Sequence, residues 1–304
     1  MKEPTKKESS SYWWLFLVIP ASLFVLGILV LPFIFFFSSD VETGNVAVIK
    51  LRGVIMEDGN GFSGDIVSAA EMVDFIKDAE EDSFIKAIVI DINSPGGSAV
   101  ASDEIAEAVK QSSKPTVAFI HEIGTSGAYW IASATDTIIA HEMSITGSIG
   151  VLSSYLELSG LMEKYGVSYE RLVAGKYKDM GTPFKELTQE ERKLLQQKLD
   201  KIHDVFITEV AGNRDLTKAQ VKAIATGEFF LGDEAQKYGL IDIMGGQTEL
   251  EQHLNSLGIA NIEYVQYVQE ATIFDVLQQL GSSFFFSVGQ GIGTEIKEQP
   301  LIVT

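Results

Sequence analysis

The stretch Gly124-Thr125-Ser126-Gly127-Ala128-Tyr129-Trp130 sets a small hydroxyl between two glycines at the head of an apolar run. Flanking glycines let the backbone turn sharply and let other groups approach closely, which suits an exposed nucleophile at a strand-to-helix junction. Serine is also a preferred helix N-cap, and this stretch alone does not separate the two roles; they are compatible, and Ser126 is expected to cap the helix as well as to attack. A second segment with chemical character is Asp91 to Ala99, DINSPGGSA, at a strand end and helix start. Pro95 stiffens the turn, while Gly96 and Gly97 allow backbone N–H groups to converge on an oxyanion or a phosphate. No Lys-Ser/Thr follows as in a P-loop, so the phosphate reading is weak, and a purely structural turn stays open.

A serine hydroxyl is a poor nucleophile at neutral pH and needs a base. His121 and His141 are nearest in sequence, but both fall in strand-like runs, where a structural role competes with catalysis. Ala128 stands where a Gly-x-Ser-x-Gly elbow has its last glycine, which argues against an α/β-hydrolase triad. The other source of a base is the loop-like segment AGKYKDMGTPFKELT (174 to 188), with Lys176, Lys178 and Lys185. A lysine accepts a proton near pH 7 only if its pKa falls from about 10.4 by roughly three units, a differential of about 4 kcal/mol that burial can impose. The residues alone do not choose among the three.

Composition removes several other chemistries. Among 304 residues, Lys+Arg 23 against Asp+Glu 42 gives a formal net charge of -19, with no basic stripe, so nucleic acid is not an expected partner. The absence of cysteine excludes a thiol nucleophile, a disulfide framework and a cysteine-ligated metal. His121, His141, His203 and His253 show no metal-binding spacing, so neither a metal nor a cofactor is expected.

The elements that must position these residues follow from the hydrophobic pattern. Residues 12 to 37, YWWLFLVIPASLFVLGILVLPFIFFF, carry no charge and are long enough to cross a hydrocarbon core about 30 Å thick as a transmembrane helix. The run is longer than a signal-peptide core, and FFFSSDVE is a poor cleavage site. Lys2, Lys6 and Lys7 precede it and Asp40 and Glu42 follow it, so the positive-inside rule places residues 1 to 11 in the cytoplasm and everything after residue 40 outside. After a linker at 38 to 44, a single domain is expected over 45 to 268, followed by a C-terminal tail at 269 to 304. FFFSVGQGIG (284 to 293) is too short to span. Strand-like runs at 46 to 55, 85 to 94, 115 to 123 and 137 to 143 alternate with segments of helical period at 65 to 81 and 99 to 113. Such alternation predicts an α/β domain with largely parallel strands. A long helix is predicted over 188 to 213, opened by a Thr188-x-x-Glu191 capping box.

DINSPGGSA, GTSGAYWIA, ITGSIGV and GKYKDMGTPFKELT occur in the order and at about the spacing seen in signal peptide peptidase A, and the chain resembles that family from about residue 46 to 250. The resemblance implies a membrane-bound serine protease with a Ser-Lys dyad on a Clp protease/crotonase-like spiral of ββα units. It carries Ser126 over as nucleophile, Lys178 as general base, Ser148 as the serine that orients the lysine, and Gly97 and Gly127 as oxyanion-hole donors, with Gly96 in reserve. Thr125 and Ala128 depart from the alanine and glycine of many members, which bears on pocket size. Val151 stands where the Clp histidine would be expected, so that mechanism is not available at this position. The resemblance further implies remnant signal peptides and other hydrophobic peptides as substrates, and a membrane-seated homo-oligomeric ring, usually octameric, in which catalytic groups can come from neighbouring copies, so that a dyad of Ser126 and Lys178 within one chain and one across an interface both stay open. Rival readings are a crotonase-type acyl-CoA enzyme, which needs a basic nucleotide site and no Ser126, and a catalytically inactive scaffold. A product-like docking of the tail EQPLIVT (298 to 304) in the substrate groove competes with an inert tail.

Overall fold

The computed structural model describes residues 44–58 and 66–268, with residues 18–20, 22, 24, 26, 27 and 30 of the N-terminal segment. The chain divides into two compact units, Met1–Thr43 and Gly44–Thr304. The described residues of the first are helical. Most of the expected span at 12 to 37 lies outside the described residues, as do the N-terminus 1 to 11, most of the linker and the tail 269 to 304, including 284 to 293 and 298 to 304. No helix among the described residues is long and apolar enough to cross a membrane.

Over its described residues the second unit is a mixed α/β fold on a nine-stranded, predominantly parallel sheet. β1 (Val46–Met56), β2 (Ile66–Ser68) and helix α1 (Ala69–Glu81) come first, then β3 (Ala87–Gly97), α2 (Ala99–Gln111), β4 (Thr116–Thr125) and α3 (Gly127–Ser133). β5 (Thr137–Ala140) and β6 (Ile145–Gly147) precede α4 (Ser159–Lys164) and the long α5 (Gln189–Asn213). The rest comprises α6 (Lys218–Ile224), β7 (Phe229–Leu231), α7 (Gly232–Lys237), β8 (Ile243–Met244), α8 (Gln247–Ser256) and β9 (Tyr264–Tyr267).

The main strand order is β2-β1-β3-β4-β5-β8. β3 is central, and Ala87 to Ile92 are all buried. The unbroken apolar run Ala87–Ile90 is what a parallel strand covered on both faces requires, and Asp91, which follows it, is buried against Arg52 and His121. The sheet forks at two places. β1 pairs with β9 through Val46–Ile49 and with β2 through Val54–Met56, while β4 pairs with β5 through Val117–Ile120 and with β6 through Ile123–Thr125. β6 is joined in turn by antiparallel β7. The end of β4, which leads into Ser126, therefore rides on the β6 branch.

Helices cover the sheet because their apolar residues recur at helical spacing. α1 buries Ala69, Met72, Ile76 and Ala79, and Ser68 caps it by accepting from the Glu71 N–H. α2 buries Ala101, Ile105, Ala106 and Val109 beneath an Ser98 cap. α8 lays Leu250 and Leu254 on the second apolar cluster, which includes Val89, Val117 and Ile139. The larger of these side chains, Met72, Ile76, Ile105, Val109, Leu250 and Leu254, each contribute about 1.5–3 kcal/mol by leaving water. The predicted long helix is present with both halves of the Thr188–Glu191 capping box.

Two boundaries differ from the sequence expectation. The helix expected over 65 to 81 starts at Ala69, because Ile66–Ser68 pairs with the end of β1. The strand expected to reach residue 143 stops at Ala140, where Ser144 Oγ accepts from the His141 N–H and closes a turn.

Candidate active site

Ser126 lies between β4 and α3 at φ 52 and ψ -124. Its N–H donates to the Gly147 carbonyl (2.9 Å) and its own carbonyl accepts from the Trp130 N–H (3.0 Å), so both sides of the peptide are pinned. It occupies the N-cap position, but its hydroxyl makes no cap hydrogen bond, which corrects the expectation that it also caps the helix. A capping serine works from the β region, and the positive φ here carries the side chain away from the amides it would serve. Holding a non-glycine residue in such a conformation costs about 1–3 kcal/mol, and strain of this kind gathers at functional sites.

The turn of Pro95, Gly96 and Gly97 lies against this corner. Ser94, fully buried, donates from Oγ to the Gly53 carbonyl (2.6 Å) and accepts from the Gly96 N–H (3.1 Å), while Thr125 Oγ1 donates to the Pro95 carbonyl (3.2 Å). A Cβ on Gly127 would stand 3.2 Å from the Gly97 nitrogen. The two amides sequence reasoning paired are thus brought together, and the Gly127 N–H belongs to the first turn of α3, where no intrahelical acceptor exists. Gly96 has φ +93, and a Cβ there would meet the Gly127 nitrogen at 2.6 Å and the Thr125 carbonyl oxygen at 2.7 Å. Gly96→Ala is therefore expected to force Gly127 aside and lower kcat at least 100-fold, the typical loss for one oxyanion donor, as measured by steady-state peptide turnover. A variant turning over within threefold of wild type would show that these amides do not act on the reaction.

Ser126, Gly96, Gly97, Gly127 and Ser148 all line one cleft of about 840 Å³. Its apolar wall includes Trp130 from α3 and Leu199, Ile202 and Phe206 from α5. Trp130 and Phe206 stack at 4.6 Å between ring centroids, with a 12° interplanar angle. Sequence reasoning missed this wall, although 199, 202 and 206 fall on one face of a helix of period 3.6. His203 lines the cleft too, with its Nε2–H directed at the Ile149 carbonyl (3.3 Å).

The other histidines singled out by sequence are engaged elsewhere. His121 Nε2 lies 2.6 Å from Asp91 Oδ1, and Arg52 pairs with Asp91 Oδ2 at 2.7 Å. His121 also packs edge-on against Phe119, a member of the cluster under α8. His141 Nδ1 accepts from the Met143 N–H. Neither lines the cleft.

Ser148 has φ 49, and its Oγ donates to the Gly227 carbonyl at 3.2 Å. The lysine expected beside it is not there: Lys178 is exposed, on a loop that contributes nothing to the lining of the cleft. The structure nevertheless separates the three loop lysines. Lys176 pairs with Glu190 (2.6 Å), and Lys185 pairs with Glu191 (2.7 Å) and with Asp179 (3.3 Å). Hydrogen bonding to Glu190 pushes the Lys176 pKa up, and bonding to Glu191 does the same for Lys185. Both are thereby moved away from the neutral form a general base requires. No ion pair among the described residues involves Lys178.

A buried-walled cleft with a strained serine at its floor and two facing amides defines a serine hydrolase site. Residues 108–259 match the model of peptidase family S49. A chain of Methanocaldococcus jannaschii with a provisional protease name is 34% identical over 226 residues, covering 73% of this chain and 71% of the relative. An Enterococcus faecium chain provisionally named signal peptide peptidase SppA is 32% identical over 238 residues, covering 76% and 69%. The chloroplastic serine protease SPPA of Arabidopsis thaliana is 30% identical over 248 residues, covering 78% of this chain and 37% of its own. A solved mutant of a membrane-bound stomatin-specific protease aligns at 17% identity with a TM-score of 0.49, covering 75% of this chain and 99% of that one. The chain belongs to peptidase family S49, within the signal peptide peptidase A group, and is a serine protease.

Proposed function

We propose that the chain is a membrane-anchored endopeptidase that cleaves hydrophobic peptides, remnant signal peptides foremost, with Ser126 as nucleophile and Lys178 as general base. The observation that carries the reading is the uncapped Ser126 at positive φ, set against the Gly97 and Gly127 amides on the floor of an apolar-walled cleft. Neutral Lys178 takes the Ser126 proton as Oγ attacks the peptide carbonyl; the lysinium then protonates the leaving amine, and water releases the acyl group by the same route. The two amides hold the tetrahedral oxyanion, each contributing about 3 kcal/mol. No step calls for a metal or cofactor.

Lys178 comes from a neighbouring copy in this reading. Its segment exposes Leu152, Leu156, Leu161 and Leu172, and α4 buries nothing within its own chain. So many large apolar side chains exposed on one segment fit an interaction site, and a closed ring such as an octamer would bury them while placing Lys178 beside Ser148 of the next copy. We read the forked sheet as the Clp/crotonase-like spiral of ββα units, and residues 12 to 37 as a single-pass anchor in contact with lipid, with residues 1 to 11 cytoplasmic and the catalytic domain outside.

A second reading has its own observation, since His203 lines the cleft and Lys178 of the same chain does not. As base, His203 would make His203→Gln as inactive as Ser126→Ala and leave Lys178→Ala active; the dyad reading expects His203→Gln to retain most of its turnover. The direct test is reaction of the detergent-solubilised protein with a fluorophosphonate probe, followed by peptide mapping. A single adduct on Ser126, together with faster cleavage of apolar than of polar peptides, is expected. An adduct elsewhere, or none, would overturn the assignment of the nucleophile.

A further inference from the structure

We propose that Arg171, Asp179, Lys185 and Glu191 form a positioning network that fixes the backbone on both sides of Lys178 and keeps neighbouring carboxylates from becoming its counterion. The inference rests on the reading of Lys178 as the base. Arg171 grips Asp179 with two groups, Nε to Oδ2 at 2.5 Å and Nη2 to Oδ1 at 2.9 Å, and also donates to the Lys176 carbonyl at 3.2 Å. Lys185 bridges Asp179 (3.3 Å) to Glu191 (2.7 Å). Glu191 in turn accepts from the Thr188 N–H and hydroxyl, both at 2.9 Å, in the first turn of α5. The chain of contacts therefore runs from one side of Lys178, through the residue directly after it, to a rigid 25-residue helix.

The charges argue for more than a tether. Asp179 and Glu191 are carboxylates with side chains only 8% and 5% exposed, and each is matched by a cation of the same network. Glu190 is occupied in the same way by Lys176 and by the Tyr177 hydroxyl. Bonding to Arg171 holds the Asp179 carboxyl far below the usual carboxylate range, and bonding to Lys185 and Thr188 holds Glu191 down to about 2. Both stay ionised, and both are already spent. An unpaired carboxylate within 4–6 Å of a lysine stabilises its protonated form, which is the wrong form for a base. Asp179, directly after Lys178, and Glu190 and Glu191 at the start of α5 are thus matched by other cations, while no ion pair among the described residues involves Lys178.

None of these four residues belongs to either apolar cluster, so their replacement tests the loop rather than the core. The experiment measures kcat and KM for an apolar fluorogenic peptide across about pH 6 to 10 with the full-length solubilised protein and its Arg171→Gln and Asp179→Asn variants, beside Lys178→Ala, with thermal unfolding of each. Arg171→Gln leaves the Asp179 carboxylate with only the longer contact to Lys185 at 3.3 Å, so the acid limb of kcat/KM should move up by about one pH unit, with rates recovering at alkaline pH. Asp179→Asn removes that carboxylate and leaves Arg171 uncompensated, so the limb should not rise, while kcat falls about tenfold and KM stays within about twofold. Wild-type limbs in both variants, equal rate losses with an unmoved limb, or loss of the unfolding transition would each overturn the positioning role. Full activity in Lys178→Ala would instead remove the base assignment on which the proposal stands.

Discussion

Ser126→Ala is expected to lower kcat for an apolar peptide on the order of 10,000-fold while leaving the fold intact. The expectation of lost rate follows from removing the attacking oxygen; what remains would come from the oxyanion donors and substrate binding alone. The expectation of retained stability follows from the geometry: the hydroxyl makes no cap hydrogen bond, and the backbone contacts to Gly147 and Trp130 do not involve it. Denaturant unfolding should therefore agree with wild type within about 0.5 kcal/mol, because nothing buried or paired is removed. Turnover within tenfold of wild type would dismiss Ser126 as nucleophile. A large stability loss would mean that the serine is a structural cap after all.

Lys178→Ala is expected to match that loss within an order of magnitude, whereas Lys176→Ala keeps its rate within about threefold. Lys176 is held by Glu190 and displaced toward the protonated form, so it is the informative control. The position of Lys178 adds a sharper test. Because it is exposed and absent from the cleft of its own chain, mixing Ser126→Ala with Lys178→Ala during assembly should restore activity. Random mixing in a ring gives about a quarter of the sites an intact Ser126 from one copy and an intact Lys178 from its neighbour. An intrachain dyad gives no such recovery, so a dead mixture would refute the contribution of a second copy while leaving both single-variant results standing.

Much of the architecture was legible because it is written in local periodicity. The runs from Val46, Ile85 and Thr116 are rich in β-branched apolar residues over strand length, and α1 and α2 carry their stripes at three- and four-residue spacing. β2 was hidden because three residues are too few to display a period of two, and its identity comes only from pairing with β1. The forks of the sheet were equally hidden, since register is decided by partners far away in sequence. At the site, Ser126 and the Gly96–Gly97 turn were readable from residue type and spacing. That Ser126 leaves its cap position unused was not, because serine favours capping and only the backbone angle decides otherwise. The set of Arg171, Asp179, Lys185 and Glu191 carries no periodic signal; the path of a loop brings it together.

The segment between Val151 and Thr188 contributes no residue to either apolar cluster, and it carries Lys178. On the reading proposed for Lys178, this arrangement makes the isolated chain its own zymogen. Latency then needs no propeptide to be cut away and no inhibitor to be displaced. The switch is crowding: a chain diluted among strangers holds half of each of two sites, and hydrolytic power arises only where like chains accumulate in one bilayer.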